Sequence, residues 1–499
     1  MDRSLDASLR QKVTDHLPLI TLLLMLLALV LRLLYISGNP MYLDETASVF
    51  IAQMTFGDVV EAVARDNNPP LYYVLLHGWM RLAGDGPEAV RLLSVLLSVA
   101  CVPVVVAIGR RFFNVRVALY AAVLFVFSEM LIYYSNEART YTLVTFLVLL
   151  SFHRLLIFLE SGQWKDVILL GTFNFLLLMS HYMAGMVMVL QAFAVVAVAW
   201  RNWRMIGRFV VVHLGVGLVF FPWFLYWQAS MMKNVSWVAP TSWKLVHFVL
   251  LVFSGSKGWL AVFGLLMGLG GPLALIWNWR KRKTKEERKA GPSELEKVGV
   301  LALWGLGGMA LLGLFSVWVV PAFRENYALF TLPGLLLLLA WIWSEMPLPH
   351  ALRWTGFVLA VLLMLGGHNF NMRHQKRWDK VSELLHHLDD AQQSTLTLLH
   401  RDFYFKPLLY HHDRALFRDY RHVRNRLRKS DLRWPEGGLK WPEKLGVEDY
   451  QRVLLVSWDV HLKKDRFRVK GQLEERMKAG RKWRYGDIWV LEYVGEYGE

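Results

Sequence analysis

Long apolar blocks separated by short polar breaks run through the first three quarters of the chain. The blocks lie at roughly 17–37, 89–109, 117–134, 140–159, 166–181, 183–200, 208–228, 259–279, 298–320, 327–344 and 351–368. A helix needs about 20 mostly apolar residues to cross a bilayer, so the pattern predicts about eleven spans. After residue 370 the pattern changes. Trp378 to Asp390 has helical spacing, with Val381, Leu384, Leu385 and Leu388 on one face. Short apolar runs at 394–399, 452–458 and 488–494 read as strands, and the charged stretch 413–450, with two Trp-Pro pairs, reads as irregular. The expected fold class is therefore mainly α: a polytopic transmembrane domain over 1–369, then a small α/β domain over 370–499. Two segments between blocks stand apart. Within 38–88, the run 71–82 (LYYVLLHGWMRL) is too short to cross and follows Pro69-Pro70, which suits a helix lying in the interface. The run Trp243 to Phe253, within 229–257, is similar.

Composition agrees with a membrane class. Apolar and aromatic residues make up 55% of the chain, mean hydropathy is +0.32, and 19% are charged. The net charge of +16 sits largely in short loops beside apolar blocks, so anionic headgroups and topology explain it and nucleic acid is not an expected partner. Cys101 stands by itself, so neither an internal disulfide nor a cysteine zinc site is available. Basic residues Arg3, Arg10 and Lys12 precede the first block, and no small-residue cleavage pattern follows it; an uncleaved first span is expected. Short-loop charge sets the orientation. With the N-terminus in the cytoplasm, the inner loops carry Arg110, Arg111 and Arg116, then Arg201, Arg204 and Arg208, then the basic run Arg280 to Lys289. An odd number of spans then places 38–88 and the C-terminal domain outside the cytoplasm, in a multi-pass protein of the cytoplasmic (inner) membrane.

In that topology, polar residues collect at the outer ends of the spans: Asp44 and Glu45; Asp66, Asn67 and Asn68; Arg91; Glu137 and Arg139; His181; Arg324 and Tyr327. Ionisable groups at a membrane are costly and often functional. Each also has a plain alternative. The acids 44–45 suit a helix start, the arginines suit headgroup contacts, His181 suits a satisfied loop histidine, and Asn67-Asn68 suit a turn before proline. Together they could do chemistry. A carboxylate can deprotonate an acceptor, arginine forks match phosphate oxygens, and a divalent metal of open identity could sit on Glu45, Asp66 and His181.

The motifs YLDETAS (42–48), NNPPLYYVLLH (67–77), VRLLSVLLS (90–98), YYSNEARTYTL (133–143), SHYMAG (180–185), FFPWF (220–224) and RENYALFTLPGLLLLLA (324–340) occur in this order. In them the chain resembles bacterial relatives of the dolichyl-phosphate-mannose protein mannosyltransferases and the aminoarabinose transferases, within the GT-C superfamily. The resemblance implies a GT-C type fold. It implies an inverting glycosyltransferase that moves a sugar from a polyprenyl-phosphate carrier to a protein, lipid or glycan acceptor outside the cytoplasm. It implies that Asp44 is the catalytic carboxylate with Glu45 beside it. It further implies that Arg91 and Arg139 build the donor site, that His181 lines the cavity, and that Arg324 and Tyr327 lie near the lipid phosphate. Two departures stand out: Asn68-Pro69-Pro70 replaces the family's His-Pro-Pro, and Arg324-Glu325-Asn326-Tyr327 replaces its Arg-Tyr. A transporter or lipid flippase is the rival reading. Transporters favour charged residues near the midplane and paired repeats, and no internal repeat is visible in the chain.

Overall fold

The computed structural model describes residues 12–37, 39–64, 68–231, 243–254, 256–282, 292–366, 377–389, 393–428, 430–433, 447–459 and 469–495. The chain forms two compact units. One comprises Met1–Ile36, Val60–Leu75 and Arg91–Phe370; the other comprises Ser37–Val59, Leu76–Val90 and Asn371–Glu499. Most of the 38–88 segment thus groups with the C-terminal residues.

The first unit is a bundle of apolar helices. Among the described residues, six are long and apolar enough to cross a membrane: Pro87–Phe112, Tyr141–Ser161, Trp203–Tyr226, Lys257–Asn278, Glu294–Trp318 and Glu325–Glu345. The pair Val115–Phe127 and Glu129–Ser135, bent by 56°, would make a seventh. The bend falls where Ser128 leaves helical geometry, at ψ 115°. Leu17–Leu33, Ala184–Ala199 and Ala351–Leu365 are apolar but shorter, and Trp164–Leu178 has 15 residues. Among the described residues, length and composition thus identify six crossings, or seven with the bent pair, and do not confirm the eleven expected. Outer faces are apolar and uncovered: only 11% of the tested window of Trp203–Tyr226 is buried, and Leu19, Leu22, Leu23 and Leu26 of the first helix are about half exposed. In a multi-pass membrane protein these are the faces that meet lipid.

Two devices hold the bundle, since lipid offers helices no hydrophobic drive to associate. One is close approach at small residues. A Cβ on Gly334 would lie 2.7 Å from the Trp304 ring, and one on Gly305 would lie 2.9 Å from the Leu335 nitrogen. Trp304 in turn stacks on Phe152 at 4.0 Å. The other is a closed polar ring. Ser151 Oγ donates to Asn174 Oδ1 (2.6 Å), Asn174 Nδ2 donates to Gln191 Oε1 (2.7 Å), and Gln191 Nε2 donates back to Ser151 Oγ (2.6 Å). His213 Nε2 accepts from Asn174 Nδ2 at 2.8 Å, while its Nδ1 donates to the Phe209 carbonyl at 2.8 Å. Arg32, fully buried, donates to Ser98 Oγ at 2.8 Å and to the Ala28 carbonyl at 3.1 Å.

The second unit holds a five-stranded sheet: β1 Thr395–Leu399, β2 Leu432–Arg433, β3 Arg452–Trp458, β4 Lys478–Tyr485 and β5 Ile488–Val494, in the order β2-β1-β3-β5-β4. β1 runs parallel to β2 and β3, while β5 runs antiparallel to β3 and β4. The three runs expected as strands are β1, β3 and β5. β4 escapes a periodicity reading because it is a charged edge strand, KAGRKWRY, with most side chains exposed. Its hairpin turn is Gly486, at φ +65°. The stretch 413–450 is less irregular than expected. It contains the short helices Arg414–Arg418 and Val423–Arg428, the first started by Asp413 Oδ1 accepting from the Leu416 N–H at 2.8 Å. The two Trp-Pro pairs lie outside the described residues.

Candidate functional site

Four loop segments meet in the first unit. The Leu71 N–H donates to the Met179 carbonyl (2.9 Å) and Thr140 Oγ1 to the Ser180 carbonyl (3.0 Å). These bonds dock the start of the Leu71–Ala83 helix and the 136–140 turn onto the hairpin turn at 179–183. Asn326 Nδ2 donates to Tyr141 Oη (2.8 Å), which brings in the 324–327 segment. At their meeting Arg139 Nη1 donates to Tyr73 Oη (3.4 Å), and its guanidinium lies 5.9 Å from the Tyr141 ring. Asn68 Nδ2 lies 3.5 Å from the same Tyr73 oxygen. His181 faces Tyr327, ring centres 5.3 Å apart. Tyr141, His181, Asn326 and Tyr327 line a narrow cleft.

The chemistry of that cleft follows from its charges. His181 Nδ1 accepts from the Met183 N–H at 3.2 Å. Burial, reinforced by the Arg139 charge, pushes its pKa down to about 4. The imidazole is therefore neutral at physiological pH, with Nδ1 as acceptor and Nε2 carrying the proton. Asn326 Oδ1 is buried with no hydrogen-bond partner, so the cleft has an acceptor to offer a ligand donor. The cleft's own lining is a neutral imidazole, two tyrosine rings, an amide and apolar side chains, and the Arg139 guanidinium and Tyr73 stand beside it; a guanidinium fork is the group here that matches phosphate oxygens. Glu137 is buried in the same turn, and its charge reaches Tyr134. Arg324 stands at the start of the Glu325–Ala328 helix, half-buried. Arg91 is buried, 1% exposed, with Nη1 donating to the Ile36 carbonyl at 2.9 Å; it closes the chain after the first helix and is no headgroup snorkel.

The acids 44 and 45 belong to the second unit, in the first turn of the Leu43–Ala52 helix. Neither caps it: Tyr42 is the cap residue and makes no side-chain capping bond. Glu45 is fully buried, whereas Asp44 is exposed. A helix of 10 residues is not stable by itself. The C-terminal residues of the same unit hold it at both ends. His411 Nε2 donates to the Met41 carbonyl (3.0 Å) and Gln53 Nε2 donates to the Phe417 carbonyl (2.8 Å). Between them Phe50 meets Phe405 and Phe417 edge-on, at 5.6 and 5.4 Å. Nearby, Arg418 grips both carboxylate oxygens of Asp85 at 3.0 Å, and Arg414 Nη2 lies 3.1 Å from Asp85 Oδ1. Their donation holds the Asp85 carboxyl below the usual range. Tyr420 Oη donates to Asp58 at 2.7 Å.

Sequence reasoning assigned no site role to Tyr73, Tyr141, Asn326, Gln53, Asp85 or the 405–420 contacts. The first three lie inside the quoted motifs, next to the charges that drew attention; the others had no local signal. Asp66 and Asn67 lie outside the described residues. Among the described residues no group of three His, Cys, Asp or Glu side chains stands as a metal would need. Glu45 and His181 fall in different units.

Residues 67–227 match the profile of the dolichyl-phosphate-mannose-protein mannosyltransferase family. No curated protein sequence matches the chain significantly. Among solved structures, ArnT from Cupriavidus metallidurans bound to undecaprenyl phosphate is similar at a TM-score of 0.57 and 12% identity, over 94% of this chain and 97% of that one. The arabinofuranosyltransferase AftD from Mycobacteria is similar at 0.51 and 14% identity, over 96% of this chain and 40% of its own. The oligosaccharyltransferase of Archaeoglobus fulgidus, in its apo form, is similar at 0.50 and 12%, over 79% of this chain and 64% of its own. At these identities the shared property is the fold. Residues 67–227 thus resemble the mannosyltransferase family, and the chain as a whole is similar in fold to these solved structures.

Proposed function

We propose that the chain is an inverting glycosyltransferase that moves a sugar from a polyprenyl-phosphate carrier to an acceptor at the outer face of the membrane. The observation that carries the reading is the pairing of His181 with Tyr327 in a cleft beside Arg139, where His181 and Arg139 belong to the segment that matches the mannosyltransferase profile and Tyr327 comes from a later one. The similarity in fold to a transferase bound to undecaprenyl phosphate supports the carrier class.

In this reading Arg139, with Arg324, takes the phosphate of the carrier. His181 donates from Nε2 without adding positive charge, and the tyrosines stack on the sugar. Asp44, exposed at its helix start, accepts the proton of an acceptor hydroxyl or amine. The freed lone pair forms the bond to the anomeric carbon as that carbon's bond to the phosphate oxygen breaks. The electron pair leaves on polyprenyl phosphate, whose new charge the arginines stabilise. One displacement inverts the anomeric centre and needs no covalent enzyme intermediate. Glu45, buried behind Asp44, supports the first turn. Arg91 acts on the donor site by fixing the end of the first helix. A divalent metal remains a proposal without assigned ligands.

The test is release of polyprenyl phosphate by protein in lipid, with a panel of polyprenyl-phosphate sugars. Wild type should release carrier from one donor; Asp44→Asn should not, while still binding it. Full release by Asp44→Asn would refute the base assignment, and no binding of any donor by wild type would favour the transporter or flippase reading.

A further inference from the structure

A second cleft, of about 1010 Å³, opens at the other end of the helices that build the candidate site. The turn at His181 joins the end of Trp164–Leu178 to the start of Ala184–Ala199; this cleft lies at the start of the one and the end of the other, about 24 Å away along the Ala184–Ala199 helix. Its walls include Glu160 to Gly162, Asn202, Arg204, Met205, Arg208 and Pro292.

Three arginine–tryptophan pairs surround it. Arg201 lies over Trp200 at 4.4 Å, Arg204 over Trp203 at 5.8 Å, and Arg208 over Trp164 at 5.5 Å. Arg208 is also fixed by donation to the Gly162 carbonyl. The local acids are spoken for. Glu160 takes Lys297 at 2.7 Å and Arg111 at 3.3 Å, Glu296 accepts from the Ser293 N–H at 2.6 Å, and Asp166 accepts from Ser161 Oγ at 2.5 Å. Arg201 and Arg204 are exposed and form no ion pair among the described residues. Beside the cleft the surface turns apolar: Ile168, Val211 and Leu214 are 53%, 58% and 68% exposed, and Trp200 and Trp203 are 65% and 74% exposed. Exposed indoles mark the depth of lipid headgroups. Guanidinium forks at that depth, above a lipid-facing apolar wall, match a phosphate that carries acyl chains better than a free ion.

We infer that this cleft binds the phosphate headgroup of an anionic glycerophospholipid in the leaflet opposite the candidate site. The inference does not depend on the proposed transferase activity. Delipidated protein in detergent would be titrated with phosphatidylglycerol and with phosphatidylcholine of the same chains, and the retained lipid counted by native mass spectrometry. Wild type should prefer phosphatidylglycerol. Arg201→Gln with Arg204→Gln, both exposed and so compatible with folding, should weaken that preference by about tenfold or more. Arg204→Lys, which keeps charge but loses the planar fork, should fall between. Equal retention of both lipids by wild type would overturn the inference, as would an unchanged preference in the double variant at unchanged melting temperature. Displacement of phosphatidylglycerol by millimolar inorganic phosphate would equally overturn it, by assigning the cleft to the free ion.

Discussion

Replacing Phe50 by alanine should loosen the helix that carries Asp44 and Glu45 without touching either acid. Phe50 is 7% exposed and lies between the rings of Phe405 and Phe417, at 5.6 and 5.4 Å. Truncating a buried phenylalanine costs about 3–5 kcal/mol when its surroundings cannot collapse into the space. Here the walls are two rings fixed on other segments and the Lys406 ammonium, 5.6 Å from the ring, so collapse is restricted. The Leu43–Ala52 helix keeps the buried side chains of Val49 and Ile51 and the bonds from His411 to Met41, from Gln53 to Phe417 and between His77 and the Ala52 carbonyl, each bond worth about 1 kcal/mol. Losing the ring therefore removes the largest side chain that this 10-residue helix buries. Hydrogen exchange of backbone amides 43–53, in protein held in lipid, reads this directly. Each 1.4 kcal/mol is about tenfold in opening, so Phe50→Ala should speed exchange by about a hundredfold or more. Phe50→Leu keeps most of the volume and should change it by less than about tenfold. Unchanged exchange in Phe50→Ala, or equal effects of Ala and Leu, would refute the view that the C-terminal residues hold this helix.

Exchanging the charges of the Asp85–Arg418 pair gives a second check. Asp85→Arg or Arg418→Asp alone should raise exchange in 76–90 several-fold, a modest effect because Arg418 is 60% exposed, and the double exchange should restore it only in part, because Arg414 would then face a like charge. Gly334→Ala should lower the thermal stability of the bundle by about 1–3 kcal/mol, since its Cβ would meet the Trp304 ring at 2.7 Å; an unchanged melt would show that the two helices can part freely. His181 has its folded pKa lowered to about 4 by burial and by Arg139. An unfolded histidine takes its proton near pH 6.5, so stability from this residue is complete above about 6.5 and is lost as pH falls from there toward 4. Melts between pH 7 and 4.5 should fall more steeply for wild type than for His181→Asn, and parallel falls would remove the group from this account.

Much of the architecture was legible in the chain. Apolar blocks of near-bilayer length predict membrane helices without knowledge of their neighbours, because the solvent they meet is lipid. β1, β3 and β5 were legible because strands buried on both faces are continuous apolar runs; β3 reads RVLLVSW. β4 was not legible, because an edge strand open to water needs no apolar pattern. Of the candidate site, Arg139, His181 and Tyr327 were legible as polar residues at span ends. Tyr73 and Tyr141 were not, since nothing local marks them off from the neighbouring Tyr72 and Tyr134; Asn326 stood at a span end without an assigned role.

What the amino-acid order determined by itself was local: which segments are apolar enough for lipid, where helices must stop, and which charges stand at their ends. The tertiary structure decided which of those ends meet. Arg139 reaches Tyr73 across 66 residues, Asn326 reaches Tyr141 across 185, and Gln53 reaches the Phe417 carbonyl across 364. It also decided that Arg91 turns inward to a backbone carbonyl rather than outward to a headgroup. The physical reason is the range of the forces concerned. Hydropathy and helix geometry act over a few residues along the chain, whereas a hydrogen bond forms only once folding has brought its two groups within about 3 Å.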